Sequence, residues 1–176
     1  MSTNFLDDVR DPVVDQLEAY MGVPLVLFAQ EAPRPDYPFI YYSVLTPYSP
    51  TGELGVYEWE AGPEDGTVTT TRTEHPSATF SFTACSQNRK TPGGFILGED
   101  EAISIAEKAH GWFLHVGYPA LSMQSIVVAQ VTNVANRNAL MFDEISRRWG
   151  FDVRINYPRV DERVDPIIAK FAIIKE

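Results

Sequence analysis

Ala78-Thr79-Phe80-Ser81-Phe82-Thr83-Ala84 alternates apolar and hydroxyl-bearing side chains without a break. Successive side chains of an extended chain point to opposite faces. The segment therefore places Ala78, Phe80, Phe82 and Ala84 on one face and Thr79, Ser81 and Thr83 on the other. One face goes inward and the other meets water or another chain. The same period returns where Phe151, Val153, Ile155 and Tyr157 alternate with Asp152, Arg154 and Asn156, which predicts a second half-buried strand.

Working outward, Asp11-Pro12 reads as a helix start, and Val9, Val13, Leu17, Tyr20 and Met21 recur at spacings of three and four, predicting an amphipathic helix that ends near Gly22. Pro24 to Ala29 and Phe39 to Leu45 read as strands, separated by Pro33, Pro35 and Pro38. From Thr46 to Gly66, prolines, glycines and the acids Glu53, Glu58, Glu60, Glu64 and Asp65 are interrupted by Val56, Tyr57 and Trp59. That pattern predicts a long loop or a protruding hairpin. Thr67 to Thr73 favours a strand, and Asn88 to Gly94 reads as a flexible loop.

A second helix is expected over about Glu99 to His115, with Ala102, Ile103, Ala106, Ala109, Phe113 and Val116 as its apolar stripe. Ile105 and Trp112 lie off that stripe, on the same side as each other, and define a candidate second patch. Ser125 to Val134 reads as a strand and Asn136-Arg137-Asn138 as a turn. Phe142 to Trp149 is read as a short helical or irregular stretch closed by Gly150 at a positive-φ position. Asp161-Glu162-Arg163 is expected to turn into a last strand over Ile167 to Ile174. This order predicts an α+β fold in a single domain over residues 1–176: an antiparallel or mixed sheet flanked by two main helices, with a long protruding loop or hairpin.

At 176 residues the chain is long enough for one well-filled core, with roughly 70% of its unfolded surface hidden on folding. Its 44% hydrophobic and 22% charged residues exclude wholesale disorder. A formal net charge of -10 opposes adhesion to nucleic acid or anionic membrane. The single cysteine, Cys85, allows neither an intrachain disulfide nor a thiolate zinc site within one chain, which suits assembly in a reducing cytoplasm. The acidic start Met1 to Asp8 differs from a secretory signal, and no apolar run is long enough to cross a membrane.

Few residues are spaced for chemistry. His110 and His115 stand five residues apart, on different faces of a helix, and His75 precedes a proline; helical metal pairs favour a spacing of four. Cys85 has no adjacent histidine and reads as a packed or half-exposed thiol. Gly93-Gly94 lacks the lysine and hydroxyl residue of a phosphate loop. The carboxylates read as solvated surface. No catalytic, cofactor or metal site is expected. Arg147-Arg148, Arg154, Arg159 and Arg163 form the local positive region, interleaved with Trp149, Phe151 and Tyr157. A nucleic-acid platform is one reading of it, but the strand alternation already accounts for the aromatics as core. Tyr57 and Trp59 in an acidic protrusion either mark a partner surface or fold back over their own core. Ile105 and Trp112 carry the same two readings.

Asn136-Arg137, then Phe142-Asp143-Glu144, then Arg147-Arg148-Trp149-Gly150-Phe151-Asp152-Val153 resembles the signature of a neck-terminator family of tailed phages and prophages. The amino-terminal helix, the Pro38 to Tyr42 strand, and the Ala78 to Gln87 strand leading into a helix extend the likeness over most of the chain. The resemblance implies a structural protein of the virion's tail-neck junction, assembled in the host cytoplasm. It implies a homo-hexameric ring on the head-proximal end of the tail tube, ending tube growth and joining a neck or connector protein, with the tail sheath as a further contact. DNA would pass through the ring without specific binding, past acids such as Glu58, Glu60, Glu64 and Asp65. Candidate subunit or partner contacts are Tyr57, Trp59, Ile105, Trp112, Arg137, Arg147, Arg148 and Asp152. Asp152 with the paired arginines reads either as an ion pair inside one subunit or as one between subunits. Another phage connector or tail component, and a small α+β enzyme or ligand-binding domain, are the alternatives.

Overall fold

The computed structural model describes residues 2–29, 33, 35–52, 54–138 and 146–167. A wide π-helical turn at Leu6–Arg10 leads into helix α1 (Asp11–Met21), which carries Pro12 in its first turn and closes on Gly22 in the left-handed region, φ 68°. Strand β1 (Leu25–Leu27) is followed by β2 (Phe39–Ser49), the hairpin of β3 (Val56–Ala61) and β4 (Thr67–Glu74), and β5 (Ser77–Ser86). A small hairpin of β6 (Arg89–Thr91) and β7 (Gly94–Ile96) leads to helix α2 (Gly98–Gly111). A second π-helical turn, Trp112–Val116, links α2 to the short α3 (Tyr118–Met123). Strands β8 (Val127–Val131), β9 (Ala135–Asn136), β10 (Arg147–Asn156) and β11 (Arg159–Pro166) complete the described chain.

The main sheet has the order β1-β2-β5-β10-β8, with β9 also pairing β10. Only β1 and β2 are parallel; the other pairs are antiparallel. The expected α+β fold with a mixed sheet and two main helices is therefore present. Strand β5 sits at the centre, with Phe82 opposite Tyr42 on one side and Phe151 on the other. These residues share a face with Ile40, Phe80, Ala84, Val153 and Ile155, and α2 packs against that face over β5 and β10. The Phe82 ring lies 5.1 Å from Phe113 and 6.0 Å from Phe151. Phe80, Phe82, Phe113 and Phe151 are all fully buried, each worth roughly 1.5–3 kcal/mol of transfer free energy.

The chain from Thr46 to Gly66 resolves into the end of β2 and a hairpin. Strands β3 and β4 join β11 in a separate three-stranded sheet of order β11-β4-β3. The Asp161-Glu162-Arg163 turn does not exist: these residues lie within β11, with Asp161 directly opposite Arg72 and 3.2 Å from it. Arg72 also clasps the buried Glu74 at 2.6 Å, and the Tyr48 hydroxyl donates to the same carboxylate at 3.3 Å. Tyr48 belongs to β2, so this cluster ties the small sheet to the main one. The outer edge of β11 is partly occupied by the chain start, where the Thr3 amide donates to the Val160 carbonyl at 2.9 Å.

Asn88 to Gly94 is likewise not a flexible loop. Pro92-Gly93 forms a two-residue turn between paired strands, and the Thr91 hydroxyl donates to the Gly94 carbonyl. Trp149 belongs to β10 rather than to a helical stretch before it; positions 139–145 lie outside the described residues. So do 168–176, which hold nearly all of the expected last strand.

The β6–β7 hairpin is fastened to α2 by a two-pronged pair. Arg89 meets Glu101 at 2.6 and 2.7 Å, and the buried Ser86 hydroxyl donates to the same carboxylate. The Arg89 bonds hold the Glu101 carboxyl below its ordinary value of 4.5 against the opposing effect of burial. A depressed folded-state pKa contributes stability that is complete above the ordinary value and is lost as the pH falls through the depressed one. Glu101→Gln is expected to lower stability at pH 7 by about 1–3 kcal/mol. The gap from the unsubstituted chain should close below pH 4.5 in urea titrations; a gap that persists at acid pH would mean that the charge is not its source.

Candidate assembly surfaces

The hairpin of β3 and β4 places its aromatics in the open. Every residue of β3 is exposed, and Trp59 keeps 67% of its surface accessible. Tyr57 and Trp59 stand two residues apart on one face with their rings stacked at 6.4 Å. Glu58 and Glu60 alternate onto the other face. Of the two readings of this segment, the one in which it folds back over its own core is excluded by that exposure. Glu64 and Asp65 sit at the exposed turn, held because the Thr67 hydroxyl donates to the Glu64 carbonyl at 2.6 Å. Strand β3 pairs only with β4, leaving its outer edge open among the described residues.

Trp112 is not part of a surface patch. It is 3% exposed, belongs to the core cluster, and Ile105 packs half-buried against the same core. The two do share a side of the helix, but that side is covered as well, because the chain returns through α3 and β8 against the Trp112–Val116 turn. At Trp112 the helix widens, with the Gly117 amide donating to the Trp112 carbonyl at 2.8 Å. The indole then lies on Gly117, where a Cβ would collide with the ring.

Asp152 pairs with Arg137, 2.7 Å away, within one subunit. Arg148 lies on the same strand face but four residues off, roughly 13 Å along an extended chain. It instead bonds the Ser146 hydroxyl at 3.2 Å, and its amide donates to the Asn138 side chain at 2.6 Å. Arg147 faces the other way, 3.7 Å from Glu99 at the start of α2. The aromatics of the basic region go to the core as the alternation implies: Phe151 and Tyr157 are buried, and Trp149 donates its indole N–H to Glu99 at 2.7 Å.

The Arg137 guanidinium lies across the hydroxyl face of β5. It donates to Ser81 Oγ at 2.5 Å and Thr83 Oγ1 at 2.9 Å as well as to Asp152. Its side chain reaches those groups by passing over Gly150. That glycine is in mid-strand and its φ is not positive. It is required for space: a Cβ there would clash with the Phe82 carbonyl oxygen and stand 2.7 Å from Thr83 Oγ1 and 3.0 Å from Arg137 Cδ.

A further surface went unread in the sequence although its signal is there. No Asp, Glu, Lys or Arg occurs from Val116 to Asn136, in a chain with 22% charged residues. Val116, Tyr118, Met123 and Val127 in this run are exposed, as is the adjacent Leu114. Among the described residues no group of three or more His, Cys, Asp or Glu is placed to hold a metal, and no helix is long and apolar enough to cross a membrane.

A family model described as phage neck terminator protein matches residues 11–175, nearly the whole chain. The chain belongs to that family of phage structural proteins and is a virion component. No curated protein matches it.

Gly150→Ala is expected to cost about 1–3 kcal/mol in denaturant unfolding, because the added methyl has no room. Combined with Arg137→Ala, the two losses should sum to less than their separate values, since truncation vacates part of the space. Full additivity would show that Arg137 does not press on this position.

Proposed function

We propose, proceeding from membership of the phage neck terminator family, that this chain acts as a single non-catalytic domain forming a hexameric ring on the head-proximal end of the tail tube. The ring ends polymerisation of tube subunits and presents its other face to the neck or connector of the filled head, with the tail sheath as a further contact. The match over residues 11–175 carries the reading. It is supported by surfaces suited to assembly: an open aromatic strand edge, and an uncharged run with exposed apolar side chains.

The ring's centre passes DNA. Glu64 and Asp65 at the hairpin turn are assigned to the channel, where negative charge keeps the genome from adhering. Glu58 and Glu60 extend the same negative character down the hairpin stem. The ring assembles in the host cytoplasm from copies that stay apart until a tube end presents the matching surface, a restraint favoured by the net charge of -10.

Added to polymerising tube protein, the chain is expected to halt elongation and leave tubes of limited length, followed by light scattering. Elongation at an unchanged rate would remove the terminating role. Glu64→Gln with Asp65→Asn should slow DNA passage through assembled necks, and unaltered ejection kinetics would sink the channel assignment.

A further inference from the structure

We propose that the stacked Tyr57–Trp59 face of one copy seats against the uncharged β8 side of the next copy, so that two unlike surfaces of the same chain make the contact that repeats around the assembly. This deepens the ring reading and rests on it.

The receiving side is built from the Trp112–Val116 turn, α3 and β8, which pack on one another. Its exposed side chains include Leu114, Tyr118 and Met123, the last 81% accessible. It lies at the edge of the main sheet, where β8 has no outer partner among the described residues. An uncharged strand edge bordered by exposed apolar groups is a liability in a free subunit, and natural proteins cover or charge such edges. This one is left uncharged over the whole run from Val116 to Asn136.

Charge selects a second copy as the occupant. Copies of formal charge -10 repel one another, so their contact needs surface that is neutral or of opposite sign. The Tyr57–Trp59 face also carries Arg72 and Arg163, but each is paired on that face, with Asp161 and Asp165, so its charges balance, and the receiving side is uncharged. On the back of the main sheet, Arg154 is exposed, pairs across to Gln130 of β8, and has no ion pair among the described residues. Because β3 side chains alternate, laying its aromatic face toward α3 brings Glu58 and Glu60 to the side on which Arg154 stands. Glu64 and Asp65, at the turn beyond the stem, remain for the channel. The contact is made by side chains rather than by an extended ladder, because β8 shifts register between its pairings to Arg154 and Ile155 and leaves Ala129 unpaired. Unlike surfaces joined head to tail close into a ring when the rotation between copies permits.

The test mixes two single-cysteine copies, Ala61→Cys and Gln124→Cys, on assembled tail tubes with a short bis-maleimide that tolerates a shift of a residue or two. Both positions are exposed and the native Cys85 is fully buried. The expected product is the 61–124 dimer, in about tenfold excess over 61–61 and 124–124 products. Trp59→Ala in the Ala61→Cys copy should cut its yield about tenfold, as loss of an interface anchor does. Trp59 is exposed in the free chain, so this substitution leaves the fold intact. Symmetric products, no product, or a yield indifferent to Trp59→Ala would each overturn the proposal. Imaging of tube ends separates the two readings. Rings without the 61–124 product sink this contact and leave the ring; the product with bare tube ends sinks the ring and leaves the contact.

Discussion

Strand β5 has a neighbour on each side over most of its length, and its two faces are committed to different chemistry. Toward the helices it carries Phe80 and Phe82 into the aromatic core. Toward the back it offers Ser81 and Thr83 to the Arg137 guanidinium. A slip of one residue would exchange the faces, placing phenylalanines under the guanidinium and hydroxyls in the core without partners. Register is therefore fixed from both sides at once. Arg137 adds a second lock, because it also holds Asp152 on β10 and passes over that strand at Gly150, where a side chain would obstruct it.

Much of this was legible in the sequence because period-two alternation is local. Ala78 to Ala84 and Phe151 to Tyr157 declare their faces without help from distant residues. What could not be read depends on partners far away in the chain. Asp161 looks like part of a charged turn until Arg72 is found opposite it, and Asp152 suggests Arg147 or Arg148 until Arg137 arrives through β9. Trp112 and Ile105 share a helix side as their spacing implies, but that side is covered by the chain returning through α3 and β8, which helical spacing cannot show. Gly150 invites a positive-φ explanation, but the actual constraint is another side chain crossing the backbone. The run from Val116 to Asn136 differs from these: its lack of charge stands in the sequence, and only its exposure had to come from the structure.

The proposed contact surfaces follow from how the chain distributes charge and apolar area. Ion pairs hold the fold at its joints: Arg89 with Glu101 beneath α2, Arg72 with Glu74 along β4 where Tyr48 of β2 joins them, and Arg137 with Asp152 behind β10. The hairpin aromatics and the apolar side chains beside β8 are left exposed. Exposed apolar surface of this kind fits the proposal that the chain buries it in an assembly. The chain belongs to a phage neck terminator family, and the proposed ring gives such surfaces a use in contact between copies and with the tube end.

Cryo-electron microscopy of the purified chain mixed with assembled tail tubes is the decisive measurement of whether it caps the tube as a ring. A six-fold ring of this chain on one end of each tube, with the β3–β4 hairpins reaching between adjacent subunits, is the predicted result. Bare ends on tubes that continue to grow, with the chain left free in solution, would contradict it.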